Sequence, residues 1–147
     1  MRSATADTRK SQPASTARMH RSANYAAAIA SNKVLLDVIT FDPSGCIDLA
    51  NSRWRCLFPG YYKVDAEASG IANGPQFQPG IYKNGSQFVG GTVFTPNVYG
   101  SGGTVSDIIP CAIGDYLELW CWLGAASTIV GASNNTWMAI SLFEPRR

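Results

Sequence analysis

Trp54-Arg55-Cys56-Leu57-Phe58-Pro59-Gly60-Tyr61-Tyr62-Lys63-Val64-Asp65-Ala66-Glu67-Ala68 is the stretch that decides the fold. In its second half Tyr62, Val64, Ala66 and Ala68 interleave with Tyr61, Lys63, Asp65 and Glu67. A period of two sends successive side chains to opposite faces, so the segment is a strand with one buried and one wetter face.

The same pattern extends outward in both directions. Tyr116–Leu123 alternates Leu117, Leu119, Cys121 and Leu123 with Tyr116, Glu118, Trp120 and Trp122. Lys33–Phe41 is rich in β-branched residues and stops at the turn-forming Asp42-Pro43-Ser44-Gly45. Asn84-Gly85, set between two apolar runs, is a strong hairpin signal. Trp137–Phe143 reads as a closing strand ended by Pro145. Tyr25–Ala30 reads as a helical turn too short to hold alone. Seven or eight short strands with Gly and Pro at the corners predict an all-β chain, an antiparallel sandwich or jelly roll.

Composition narrows the function classes. The 147 residues suit one domain with a tail, and only 15% are charged, against roughly a quarter in an average domain. Lys+Arg 12 against Asp+Glu 10 is too balanced for a nucleic-acid wrapper, and no apolar run approaches the ~18 residues of a membrane helix. The charge is unevenly placed. Met1–Arg21 carries Arg2, Arg9, Lys10, Arg18 and Arg21 against Asp7 alone, and it is rich in Ser, Thr and Ala. It has no apolar core of a secretory signal after Arg2 and too little apolar area to fold by itself. It is expected to be an extended arm over residues 1–30, followed by the jelly roll over 31–147. From Glu67 to Asp107 the only intervening charge is Lys83, and Phe77, Tyr82, Phe88, Phe94 and Tyr99 punctuate the stretch. That texture fits either an interface or a buried sheet with Gly-rich loops.

No catalytic constellation emerges, so no catalytic residue is assigned. His20 is the one histidine, with no nucleophile and orienting carboxylate beside it in the arm. Asp65 and Glu67 share a strand face about 7 Å apart, where a wet sheet face is the ordinary explanation. Asp107 and Asp115 are expected to cap turns. Cys46, Cys56, Cys111 and Cys121 include no C-x-x-C knuckle. No metal site or cofactor is therefore assigned. Three disulfide connectivities are open to them, but free buried thiols are the expectation, with Cys121 among the leucines. Gly100–Gly103 lacks the Gly-Lys-Ser/Thr ending of a phosphate loop.

Trp54-Arg55-Cys56-Leu57-Phe58-Pro59-Gly60-Tyr61-Tyr62-Lys63-Val64 resembles a signature of the globular head of the first complement component, a family related to tumour necrosis factor. The family reads aromatic-x-Cys-x-x-Pro-Gly-x-Tyr-x-Phe. Asp42, Ile47, the Ile81–Gly85 hairpin, Gly114–Leu119 and Trp137–Phe143 fall at matching places, so the likeness covers roughly residues 33 to 144. Leu36, Val64 and Ala66 depart from it where the family prefers aromatics. The resemblance implies a ten-stranded jelly roll assembling as a homotrimer, with Tyr62, Phe77, Tyr82, Trp120, Trp122 and Trp137 as candidate interface residues. Phe41–Gly45 and Ala50–Arg53 are similar to versions of this domain in bacteriophage virion proteins.

The expected function is therefore a capsid decoration (cement) protein on the outer surface of a virion, assembled in the bacterial cytoplasm. It would bind itself as a trimer and the major capsid protein, with neither nucleic acid nor membrane as partner. Arg2, Arg9, Lys10, Arg18 and Arg21 would form the tether. The alternative is a tail- or head-fibre tip that binds a host-surface receptor or glycan. A cellular ligand-like or carbohydrate-binding module and a hydrolase rank below these.

Overall fold

The computed structural model describes residues 16–146. Within them lie thirteen strands: β1 Thr16–His20, β2 Tyr25–Ala27, β3 Ala30–Lys33, β4 Val38–Phe41, β5 Ile47–Asp48, β6 Arg53–Arg55, β7 Gly60–Gly70, β8 Phe77–Lys83, β9 Ser86–Gly90, β10 Ser101–Cys111, β11 Tyr116–Leu123, β12 Ser127–Ile129 and β13 Trp137–Pro145. They form two antiparallel sheets. The first runs β2-β12-β7-β13-β1-β4, with β10 on the other side of β7. The second runs β5-β6-β11-β8-β9, with β3 also paired to β11. The fold is the all-β antiparallel jelly roll that the alternations predict.

The deciding stretch folds as its alternation requires. Tyr62, Val64, Ala66 and Ala68 are all buried, as the period of two requires. The Trp54 ring lies 4.5 Å from that of Tyr62 at 59°, tying β6 to β7 across the core. The Tyr62 hydroxyl donates to the Phe58 carbonyl at 2.5 Å, so its polar end is satisfied. At Gly60 a Cβ would stand 2.7 Å from the Glu144 carbonyl, which is why the β7–β13 pair needs glycine there. Leu117, Leu119, Cys121 and Leu123 complete the core from the second sheet.

Turn chemistry follows the sequence. Asp42 accepts from the Cys46 amide at 2.9 Å and the Ile47 amide at 2.8 Å, closing the turn at Gly45 (φ 67°). Asn84 and Gly85 take φ of 52° and 83°, the left-handed pair of a two-residue hairpin between β8 and β9.

Two local expectations are corrected. Tyr25–Ala30 is not a helical turn: β2 pairs with β12, and Ala30 turns the chain at φ 82°. Lys33–Phe41 is not one strand but a crossing, from β3 in one sheet to β4 in the other. Val34 and Leu36, both fully buried, fill the passage between the sheets. Burial from both sides makes such a run as apolar as a strand, so composition alone does not separate the two.

Residues 16–30, expected to lie in an extended arm, belong instead to the sheets. β1 lies between β13 and β4, and Ala17 (3% exposed) and Met19 (1%) are core residues. Two buried apolar side chains and two ladders outweigh the polar composition around them.

Candidate functional site

The first sheet presents its outer face through β7, β10 and β13. Because Tyr62, Val64 and Ala66 point inward, Tyr61, Lys63, Asp65 and Glu67 point out, flanked by Thr104, Ser106 and Ile108 of β10 and by Trp137, Ala139 and Ser141 of β13. Asp65 stands between Ala139 and Ser106 in register. The Ser106 hydroxyl donates to Asp65 Oδ1 at 2.6 Å, and Lys63 Nζ lies 3.7 Å from Oδ2. A depression of about 430 Å³ opens here, lined by Asp65, Thr104, Ser106, Trp137 and Ala139. Toward the other end large apolar side chains are exposed among charges: Tyr61 (38%) beneath Arg146, Ile108 (43%) opposite Lys63, and Phe143 (62%) turned out by the bulge between Leu142 and Glu144. A hydroxyl-lined hollow beside exposed apolar side chains has the makings of a contact surface.

The candidate tether residues divide. Arg2, Arg9 and Lys10 lie outside the described residues. Arg18 and Arg21 are not tethers but parts of the fold. Arg18 donates to the Ser133 carbonyl and, at 3.3 Å, to Thr40 Oγ1, and it lies 5.1 Å over the Trp137 ring. Arg21 donates to the Ala23 and Leu35 carbonyls, pairs with Asp37 at 3.3 Å and lies 4.7 Å over Tyr25. Burial raises the Asp37 pKa, but hydrogen bonds from Ser22 and the Arg21 charge win and hold it below its ordinary value. His20 Nδ1 meets Thr40 Oγ1 at 2.8 Å.

The candidate interface residues divide as well. Tyr62 and Phe77 are fully buried inside the protomer, Phe77 against Phe94 with ring centroids 5.4 Å apart, so neither is free to contact a neighbour. Trp137 borders the hollow described above. Tyr82, Trp120 and Trp122 lie on the outer face of the opposite sheet. Sequence reasoning missed Tyr61, Ile108 and Phe143. Their only signal was an apolar side chain in the outward phase of an alternating strand.

That opposite face carries a shallow groove. Its lining is Ser31, Gln78, Pro79, Gly80, Tyr82, Gln87, Trp120 and Trp122. In register, Trp120 stands opposite Gly80 and Trp122 opposite Gln78, while Gln87 stands opposite Tyr82. Trp120 and Tyr82 stack at 4.5 Å and 12°, and Trp122 is 39% exposed. Lys33 and Glu118, neighbours on the same face, neutralise each other at 3.0 Å.

Lys83 and Asp115 are held within the fold. Lys83, the lone charge of the middle stretch, donates to the Pro110 carbonyl at 2.6 Å and pairs with Asp115 at 3.3 Å. Asp115 also accepts from the Ala112 amide at 2.8 Å and Asn84 Nδ2 at 2.9 Å. Burial raises its pKa, but these donors and Lys83 outweigh burial and keep it low. All four cysteines are buried and none is in a disulfide. Burial pushes Cys111 and Cys121 up to about 12.

No family model matches the chain, and no curated protein matches it in sequence. Its likeness to solved structures is in shape. Eiger TNF from S. frugiperda superposes with a TM-score of 0.72 at 8% identity, over 92% of this chain and 96% of that one. The globular domain of zebrafish complement 1qA gives 0.70 at 11% identity, over 89% and 98%. Murine APRIL gives 0.70 at 9% identity, over 89% and 100%. Residues 16–146 fold as the jelly roll shared by tumour necrosis factor and the complement globular head.

Proposed function

We propose that the protein is a virion structural protein: a homotrimeric jelly-roll knob that decorates and stabilises a capsid, tethered by residues 1–15. The observation that carries self-association is the outer face of β7, β10 and β13, where Tyr61, Ile108 and Phe143 are exposed beside a hydroxyl-lined hollow. The trimer and the virion setting are supported by the sequence resemblance, and the fold agrees with it. The chain enters β1 at Thr16, opposite Ser141 on β13, so the preceding segment joins the body at the same sheet. That segment carries Arg2, Arg9 and Lys10 against Asp7, a charge suited to acidic capsid surfaces. Three weak tethers on one knob gain avidity through effective concentration, and binding only the assembled shell stabilises it by mass action.

The test is a truncation lacking residues 1–15, added to capsids that have lost their decoration. The knob should stay folded and associated while capsid occupancy falls. Arg2→Gln, Arg9→Gln and Lys10→Gln together should weaken binding and flatten its salt dependence. Undiminished occupancy by the truncated chain overturns the tether.

A further inference from the structure

We propose that the groove on the outer face of the second sheet binds a neutral saccharide. The site stands on its own, because it lies on the opposite sheet from the association face. Its strongest feature is the combination of aromatic planes and amides with no charge. The lining side chains are aromatic (Tyr82, Trp120, Trp122), amide (Gln78, Gln87), hydroxyl (Ser31) and Pro79, together with Gly80. A pyranose carries apolar C–H faces and a rim of hydroxyls. It therefore asks for flat apolar walls plus a few donors and acceptors, the usual make-up of a specific small-molecule site.

The register builds that arrangement. Trp120 and Trp122 are two residues apart on one strand face, about 7 Å between their origins, and with Trp120 stacked on Tyr82 and Trp122 reaching toward Gly124 they form a spread aromatic surface. Gly80, opposite Trp120, and Gly90, opposite Gly80 on β9, carry no side chains, and the amides of Gln87 and Gln78 pack over them. Gln78 anchors its amide on the Gly91 carbonyl at 3.1 Å, leaving its amide oxygen to accept. Trp122 is 39% exposed and so keeps aromatic surface open to a ligand. Charge selects the class of ligand. None of the lining residues is ionised, and the adjacent Lys33 and Glu118 are paired at 3.0 Å. An anionic glycan finds no free cation here, and a cationic ligand no free anion.

The experiment uses the full chain and a panel of neutral oligosaccharides of glucose, galactose and N-acetylglucosamine, with sialylated and sulfated counterparts. Binding is read by tryptophan emission and by saturation-transfer NMR at millimolar sugar. The expected result is a shift with at least one neutral member. Trp122→Ala, which removes an exposed side chain, should weaken that binding about tenfold, the scale of one lost stacking partner. Gln78→Ala should weaken it as well, while Ile39→Ser, exposed on β4 of the opposite sheet, leaves it unchanged. Circular dichroism confirms that each variant is folded. The proposal is overturned if no neutral sugar binds, if only the acidic glycans bind, or if Trp122→Ala binds as well as the parent. It is equally overturned if Trp122→Ala alters the mass of the assembly, which would make the groove a contact with a second copy.

Discussion

Replacing Asp115 should expose how much of the fold hangs on one carboxylate. Asp115 heads β11 and gathers three donors from three places: the Ala112 amide at 2.8 Å, Asn84 Nδ2 at 2.9 Å and Lys83 Nζ at 3.3 Å. It thus joins the β8–β9 hairpin to the turn that leads from β10 into β11. All three bonds end on a charged carboxylate, roughly 1.5–3 kcal/mol each when fully buried, and are discounted here because Asp115 is partly exposed and Lys83 keeps the Pro110 carbonyl. Asp115→Ala should therefore cost about 3 kcal/mol at neutral pH, or ~6–12 °C in Tm for a chain of this size. Asp115→Asn, which keeps one acceptor, should cost about half as much.

The pH dependence follows from the sign of the shift. The folded-state pKa of Asp115 is held below the ordinary ~3.9. Its contribution is then fully present above the unfolded pKa and is lost as pH falls through the folded one. Urea unfolding of parent and variants, followed by tryptophan emission at pH 7 and again near pH 3, reads the difference directly. The gap between parent and Asp115→Ala should be widest at pH 7 and narrow in acid. A gap of under about 1 kcal/mol at pH 7, or one that is the same at both pH values, would refute the reasoning.

Three further outcomes follow from the packing. Gly131→Ala would place a Cβ 2.4–2.6 Å from the Ala23 backbone, which has nowhere to go, and should lower stability by about 1–3 kcal/mol in a denaturant titration. A chain lacking residues 1–15 should melt with the parent, whereas one lacking residues 1–21 loses β1 with Ala17 and Met19 and should fail to give a cooperative transition in calorimetry. The four thiols should resist a disulfide reagent in the native state and react on unfolding in denaturant, because burial holds Cys111 and Cys121 protonated up to about pH 12.

The parts of this molecule that were legible in its sequence are those whose signal is local. β7 and β11 declare both faces by alternation, and the turns at Asp42–Gly45 and Asn84-Gly85 need only their own residues. The signature around Trp54 and Tyr62 marks a contact that geometry makes at 4.5 Å. What escaped depends on register. Thr16–His20 alternates too, with Ala17 and Met19 buried between Arg18 and His20, but a basic, Ser-rich neighbourhood concealed it. Arg18 and Arg21 looked like spare charge until β4 and the Asp37 loop came alongside. Tyr62 and Phe77, aromatic and near the charge-free stretch, looked available for a partner, yet the protomer itself consumes them. The hollow between Asp65, Ser106 and Trp137 draws on three strands far apart in sequence, so no window of the chain contains it.

The central claim is that the face bearing Tyr61, Ile108 and Phe143 joins copies of this chain. Native mass spectrometry of the full protein beside Ile108→Glu tests it most directly. The account predicts three copies of a 15.8 kDa chain for the parent and a folded monomer for the variant, whose carboxylate cannot be desolvated cheaply at an apolar contact. A monomeric parent, or a variant that remains trimeric, would contradict it.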